Sequence, residues 1–290
     1  MSSNLECVGL GVSDHEDLGN LVEASLASAQ PLARLTKGEL RRWQDPSGAR
    51  LVLTLDDDGQ VIDLLPSFAA ETGIHLLSCH PVNEHVSVAA VVDGAGEQIT
   101  SIAFAPEQQR QLMELGSPVS GEVAMIALAV DVTVHFDADS YSASDASLLE
   151  PPGSGPEEPP EEYVRRGWAW PPRMAPESFV SHGATADPAQ ADAHARLAGT
   201  VLAAERRTVT VSGQGFIVVR VRTAGFELDM CMAASEHQPP EPGSVVSGTV
   251  FLVGSLDGLV PTPDLTAAYA TVEPRPAGSR AKRRRWFGRD

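Results

Sequence analysis

Cysteine, histidine and clustered carboxylates are the side chains through which this sequence could do chemistry. His75, Cys79, His80 and His85 form its densest group of soft ligands. In extended backbone His75 and Cys79 share one face and His80 takes the other. A closed zinc site needs four ligands at compatible spacing, and Pro81 breaks the run, so these imidazoles read as exposed or internally satisfied. A Cys79 nucleophile activated by His80 fails for a related reason, because neighbours on a strand point apart. Asp56-Asp57-Asp58-Gly59 has the acids of a calcium loop, yet the register that puts Gly59 at the sixth position leaves Thr54 and Leu65 where acids are required. It reads as a hairpin turn. Gly9-Leu10-Gly11 precedes a helical segment in the manner of a dinucleotide loop, but Asp14 stands in place of the third glycine and its carboxylate would repel a pyrophosphate. No phosphate-loop, nucleophile-elbow, His-Glu-x-x-His or Cys-x-x-Cys pattern is present. On these grounds no catalytic, cofactor-binding or metal-ligating residues are assigned, no cofactor is expected, and an enzyme is the less favoured reading.

Aromatic residues give the stronger functional signal. Tyr163, Trp168 and Trp170 fall within eight positions of one another in a Pro/Glu-rich stretch. Exposed indoles in a linker cost solubility unless they dock on a domain of the same chain or anchor a partner. Internal docking of a short stretch, 163–172, is the expectation, and anchoring of a separate protein is the alternative. Trp286, beside Arg283, Arg284 and Arg285, marks a second candidate contact in a basic tail.

The elements that must position these residues follow from composition and pattern. The chain has 290 residues, 42% of them hydrophobic, which is enough for a folded core. Its length suggests two domains. The net charge of -18 is uneven: -16 over 1–149, -5 over 150–195, -1 over 196–263 and +4 over 264–290. An acidic main domain repels nucleic acid and anionic lipid at long range. No apolar run reaches the ~18 residues of a membrane span, and the first residues lack the basic and apolar regions of a secretory signal. Three widely spaced cysteines make no disulfide framework and point to reduced thiols in the cytoplasm. Lys37 and Lys282 are the only lysines, a bias that with abundant alanine suggests a GC-rich bacterial genome.

Residues 5–12 read as a strand. Ser13 and Glu16 form a capping box for a helix whose apolar face is Leu18, Leu21, Val22 and Leu26, ended by Pro31. Strands are expected at 39–43, 49–55 and 60–65, then at 74–79, 85–92 and 98–105, with a short helix after Pro106 and a long strand over 122–136. Residues 1–149 therefore read as an acidic α+β domain with two sheet-rich halves. Residues 150–195 read as a linker carrying the aromatic anchor. Five strands, at 197–204, 208–211, 215–223, 226–232 and 244–253, define a small β-barrel over 196–272, and 273–290 form a basic tail expected to be disordered.

Two resemblances add to this. Val8-Gly9-Leu10-Gly11-Val12-Ser13-Asp14, Trp43-Gln44-Asp45-Pro46-Ser47-Gly48-Ala49-Arg50-Leu51 and Gly59-Gln60-Val61-Ile62-Asp63-Leu64 make residues 5–68 resemble half of a vicinal-oxygen-chelate, glyoxalase-like module. That family's ligand positions on the first and fourth strands fall on Cys7 and Asp63. A thiolate and a carboxylate can hold zinc, but the following half offers no matching pair, so the resemblance implies a cofactor-free binding relative. The strands of 196–253 look like an OB-type barrel. Single-stranded nucleic-acid binding would need exposed aromatics and a basic groove. Phe216, Phe226 and Phe251 sit in apolar strands and read as core, although Arg206, Arg207, Arg220 and Arg222 could line one face. The favoured function is a non-catalytic binding or scaffold protein acting through an unidentified protein partner. The alternatives are a glyoxalase-like small-molecule binder or enzyme near Cys7 and Asp63, and nucleic-acid binding through barrel and tail.

Overall fold

The computed structural model describes residues 3–150, 158–184, 187–256 and 260–261. The protein is a sheet-rich α+β chain. Where a first strand is expected, the chain instead makes a 3-10 turn, Glu6–Val8, because Gly9 (φ 71°) reverses the backbone and drives Cys7 and Val8 into the core. Helix α1 (His15–Leu26) is capped by Asp14, not Ser13: the Asp14 carboxylate accepts the amides of Glu16 and Asp17, both at 2.9 Å. Beyond it β1 (Gln30–Arg34), β2 (Glu39–Gln44), β3 (Ala49–Leu55) and β4 (Val61–Phe68) form an antiparallel meander. The last three strands lie where the sequence puts them. Strand β1 was not foreseen, because Pro31 reads as a helix stop; as an edge strand it tolerates the missing N–H.

The remaining strands build two units with the same plan. In the first, β5 (Ile74–Pro81), β6 (Ser87–Val92) and β7 (Gln98–Pro106) are an antiparallel meander. Helix α2 (Gln109–Leu115) then leads to a long strand, β8 (Val119–His135), that pairs back on β5. After α3 (Ala138–Ala143), α4 (Glu161–Arg166) and β9 (Ser178–Ser181) comes the second unit. Strands β10 (His194–Thr208), β11 (Gly215–Arg222) and β12 (Glu227–Ala233) form its meander, and β13 (Val245–Ser255) pairs back on β10. The two long strands also pair with each other, and each runs parallel to the third strand of the other unit: β13 beside β7, β8 beside β12. The pairings thus close into two five-stranded rings, β5-β6-β7-β13-β8 and β10-β11-β12-β8-β13, which share the β8–β13 pair.

Sequence explains the shared pair. Residues 123–129 read Val-Ala-Met-Ile-Ala-Leu-Ala with no alternation, and all seven are buried, as expected of a strand covered on both faces. Strand β13 has neighbours on both sides, β8 and β10, and Gly248 (φ 146°) sits between them. A Cβ there would lie 2.1 Å from the Asp131 carbonyl oxygen. The structure also departs from the expected five local strands of 196–253. Residues 208–211 are the end of β10 and the start of a turn, and the fifth strand of that ring is β8, from the other side of the Pro/Glu-rich stretch. Both halves expected as separate domains therefore contribute to one ten-stranded sheet. The two-residue strand β14 (Val260–Pro261) pairs with the start of β8. No helix among the described residues is long and apolar enough to cross a membrane.

Because each ring is completed by the other unit's long strand, a chain nicked by protease within 158–170 should elute as one particle on gel filtration and separate only in denaturant. Two species eluting apart under native conditions would show that neither ring needs the borrowed strand.

Candidate functional site

Three consecutive polar residues after β7 are buried: Glu107, Gln108 and Gln109. Each is tied to a different part of the fold. The Glu107 amide donates to the Gly254 carbonyl at 2.8 Å, which extends the β7–β13 pairing and aims the side chain at the polar face of the β1–β4 sheet. There its carboxylate receives Arg42 from β2 (2.9 Å), Arg50 from β3 (3.5 Å), the Ser67 hydroxyl from β4 (2.6 Å) and the Ser255 hydroxyl from β13 (3.2 Å). Gln108 accepts the Leu256 amide at 3.0 Å. Gln109 donates to the carbonyls of Asn83 and Val86 and accepts the Ser87 hydroxyl at 2.6 Å. A fully buried carboxylate is tolerated only when paired and hydrogen-bonded, and this one meets both conditions. The sequence reading sees only a helix start after Pro106. The signal it passes over is a run of three polar residues with no turn former among them.

The nominated metal and nucleophile residues are kept apart. Cys7 is fully buried and its thiol donates to the Ala129 carbonyl at 3.2 Å, whereas Asp63 is exposed on β4 and accepts the Leu64 amide. Burial pushes the thiols of both Cys7 and Cys79 up to about 12, and it also raises that of Cys231. All three cysteines are free. His75 faces Glu122 at 2.9 Å, and His80 Nδ1 lies 2.8 Å from the Ser78 carbonyl oxygen. No group of three or more His, Cys, Asp or Glu side chains gathers as a metal-binding set among the described residues. The Asp45-Pro46-Ser47-Gly48 turn is a joint between elements. Against the upward push of its burial, hydrogen bonds from Ser47 and Thr210 lower the Asp45 carboxyl, and the Thr210 amide, at 3.0 Å, ties the turn to the β10–β11 hairpin.

The aromatic stretch packs on itself. The Tyr163 ring meets Trp168 and Trp170 edge-on, with centroids 5.4 and 5.0 Å away, and the Arg166 guanidinium lies 4.6 Å from the Trp168 ring centroid. Gly167, left-handed at φ 66°, ends α4 and folds Trp168 back over it. Helix α4 buries no side chain, Val164 is 64% exposed and Trp168 is 50% exposed. Backbone hydrogen bonds to the body begin, among the described residues, at Pro172: its carbonyl accepts the Leu149 amide at 3.0 Å, and the Met174 amide donates to Ser147. Of the expected docked stretch 163–172, Tyr163 and Trp170 are partly buried and Trp168 is half exposed. Arg283, Arg284, Arg285 and Trp286 lie outside the described residues.

Two of the concavities bear on the candidate residues. A groove beside β10–β12 is walled by Arg207 and Arg220, but Arg207 is held by Glu205 and stacks on Phe68 at 5.2 Å, while Arg220 reaches Glu227 and Asp229 at 3.2 and 3.4 Å. Burial raises the Asp229 carboxyl against the pull of Arg220. Acids outnumber the arginines along this face, which disfavours a polyanion. Phe216 is buried, as expected, and Phe226 and Phe251 pack partly buried against the core. The second concavity, about 310 Å³, lies between the polar face of the β1–β4 sheet and the first ring, with Glu107 and Gln109 in its lining. The chain matches no family model, no curated protein and no solved structure.

Glu107→Ala takes away the one carboxylate shared by Arg42, Arg50, Ser67 and Ser255 and should lower unfolding free energy by about 3–5 kcal/mol in urea titration. A loss under about 1 kcal/mol, the range of surface pairs, would show that water replaces the carboxylate. The thiols give a second test. An unfolded thiol ionises near 9 and the folded Cys7 and Cys79 only near 12, so above pH 9 the unfolded state binds fewer protons. Their contribution to stability is complete below pH 9 and falls as pH rises toward 12. All three cysteines should resist a thiol-specific disulfide reagent at pH 8 until the chain is unfolded; fast labelling of the native protein would contradict the buried, protonated state.

Proposed function

We propose that this protein is a non-catalytic binding or scaffold protein that acts through protein contacts made by the 163–170 knuckle. The observation that carries this reading is the exposed aromatic cluster: Trp168, half exposed, is propped by Tyr163 and Arg166 on a helix that buries nothing of its own. Pre-ordered aromatic side chains surrender little conformational freedom on binding and bring a large apolar area. The side chains that would mark an enzyme support the same reading from the other direction. The thiols are buried and protonated, and the buried carboxylate Glu107 is held by two arginines and two serines. Free, buried thiols also fit a reducing, cytoplasmic setting.

The finer reading of the fold belongs here as well. The ring β10-β11-β12-β8-β13 has a three-strand meander, a fourth strand returning to the first, and a parallel partner for the third, a succession in keeping with an OB-type barrel. On this reading the two rings are the rigid body, and residues 158–171 present the knuckle on it.

A photo-crosslinking residue at Val164, installed in the full chain within its source cells, should trap discrete protein adducts. Trp168→Ala in the same chain should reduce them at least severalfold without changing the melting temperature. Equal adducts from a residue at Leu115, an exposed apolar position on α2, would remove support for the knuckle as a contact site. So would adducts insensitive to Trp168→Ala.

A further inference from the structure

The cleft of about 310 Å³ between the β1–β4 sheet and the first ring has the size of a small ligand pocket. Its floor comes from alternate residues on the sheet's polar face. Leu40 on β2 and Val52 on β3 are buried there, and Phe251 on β13 closes the opposite side, its ring fixed edge-on by His194 at 5.3 Å. Thr54 continues the same face. It stands opposite Leu40 on one side and Asp63 on the other, so Thr54 and Asp63 are cross-strand neighbours at the cleft.

Thr54 is 7% exposed, and its hydroxyl has no hydrogen-bond partner among the described residues. It is also not sealed away: among the described residues, the one fully occluded side-chain polar atom without a partner is Ser25 Oγ. A buried hydroxyl left open to a cleft is a vacant hydrogen-bonding position, since polar groups taken from water are otherwise paired. The carboxylate beside it is equally available, for among the described residues Asp63 accepts only the amide of its neighbour Leu64. Glu84 stands at the same cleft, 3.9 Å from Arg110. The deeper acid, Glu107, is already occupied by Arg42 and Arg50. His85 and Arg110 also line the cleft, Arg110 within 3.9 Å of Glu84, but the groups on its β3–β4 floor, Thr54 and Asp63, offer acceptors, and a chain of net charge -18 draws cations toward them.

We propose that this cleft binds a small primary or secondary amine, with its hydrocarbon or aromatic body on Leu40, Val52 and Phe251 and its ammonium group donating to the Thr54 hydroxyl and the Asp63 carboxylate. The site is separate from the 163–170 knuckle and is compatible with a protein-contact function, to which it would add small-molecule control. Asp63 takes part as an acceptor for an ammonium group.

The test uses the full chain and three probes that share a phenylethyl body: 2-phenylethylamine, 2-phenylethanol and 3-phenylpropanoate, titrated by calorimetry and by protein-observed NMR. The amine should bind saturably and shift amides on β3 and β4. The alcohol should bind about tenfold more weakly, as expected from loss of a charged hydrogen bond, and the carboxylate should not bind. Asp63→Asn, an exposed and nearly isosteric change, should weaken the amine by a similar factor, as should Thr54→Val. Asp58→Asn, in the adjoining turn, and Trp168→Ala should leave it unchanged. The proposal is overturned if the amine does not saturate, if the carboxylate binds as tightly, or if Asp63→Asn changes amine affinity less than about twofold. Each of those results leaves the knuckle reading standing, because the crosslinking experiment tests other residues.

Discussion

Everything else in this fold hangs on the pairing of β8 with β13. Each strand is the last of its own unit and closes the ring of the other, so each ring holds one strand whose own meander lies across the pair. A three-strand meander with a returning fourth strand leaves two open edges, and open edges invite association with other chains. Exchange of the fourth strands removes those edges inside one molecule. It also explains why β8 must be apolar on both faces where it crosses the shared region, and why β13 needs glycine at position 248, where the Asp131 carbonyl leaves no room for a Cβ.

The polar run 107–109 solves the next problem, which is how to fasten the β1–β4 sheet to the rings. One face of that sheet is apolar and packs into the main core through Trp43, Leu51, Leu53 and Phe68. The other face carries Arg42, Arg50 and Ser67, which cannot be buried without partners. Glu107 supplies them in a single side chain, and it can reach them because its backbone is held in register with β13. A buried pair of this kind contributes less to net stability than to placement: replacing it with apolar groups can be neutral, while removing one partner is costly. The contact therefore sets where the sheet sits, and with it the shape of the cleft between sheet and ring.

Local chemistry was legible in the sequence and long-range pairing was not. Strands β2, β3, β6 and β7 lie close to where alternation and turn residues put them, because both signals act within a few residues. The 3-10 turn at Glu6–Val8 was missed because Cys7 and Val8 have strand-like side chains, and only the packed core shows that they fill a cap position. The partner of β12 could not be read at all. Periodicity reports that 123–129 is buried on both faces, and says nothing about which strands, a hundred residues away, do the burying. The candidate sites divide the same way. Trp168 is singled out by residue type and Asp63 by the glyoxalase-like resemblance, but the cleft that Asp63 lines needs Thr54, Leu40 and Phe251, brought together only by the sheet register and by β13.

The distribution of exposure follows from these constraints. The three thiols and Glu107 sit where the fold has removed them from water. Groups left in contact with solvent include an indole beside a guanidinium and, at the cleft, a hydroxyl beside a carboxylate. A nucleophile needs a depressed pKa and access, and burial without a compensating charge supplies the opposite of both. Recognition needs a rigid frame that holds a few unsatisfied groups in place. On the function proposed above, two rings that share a strand pair, with a sheet pinned to them through one carboxylate, supply that frame.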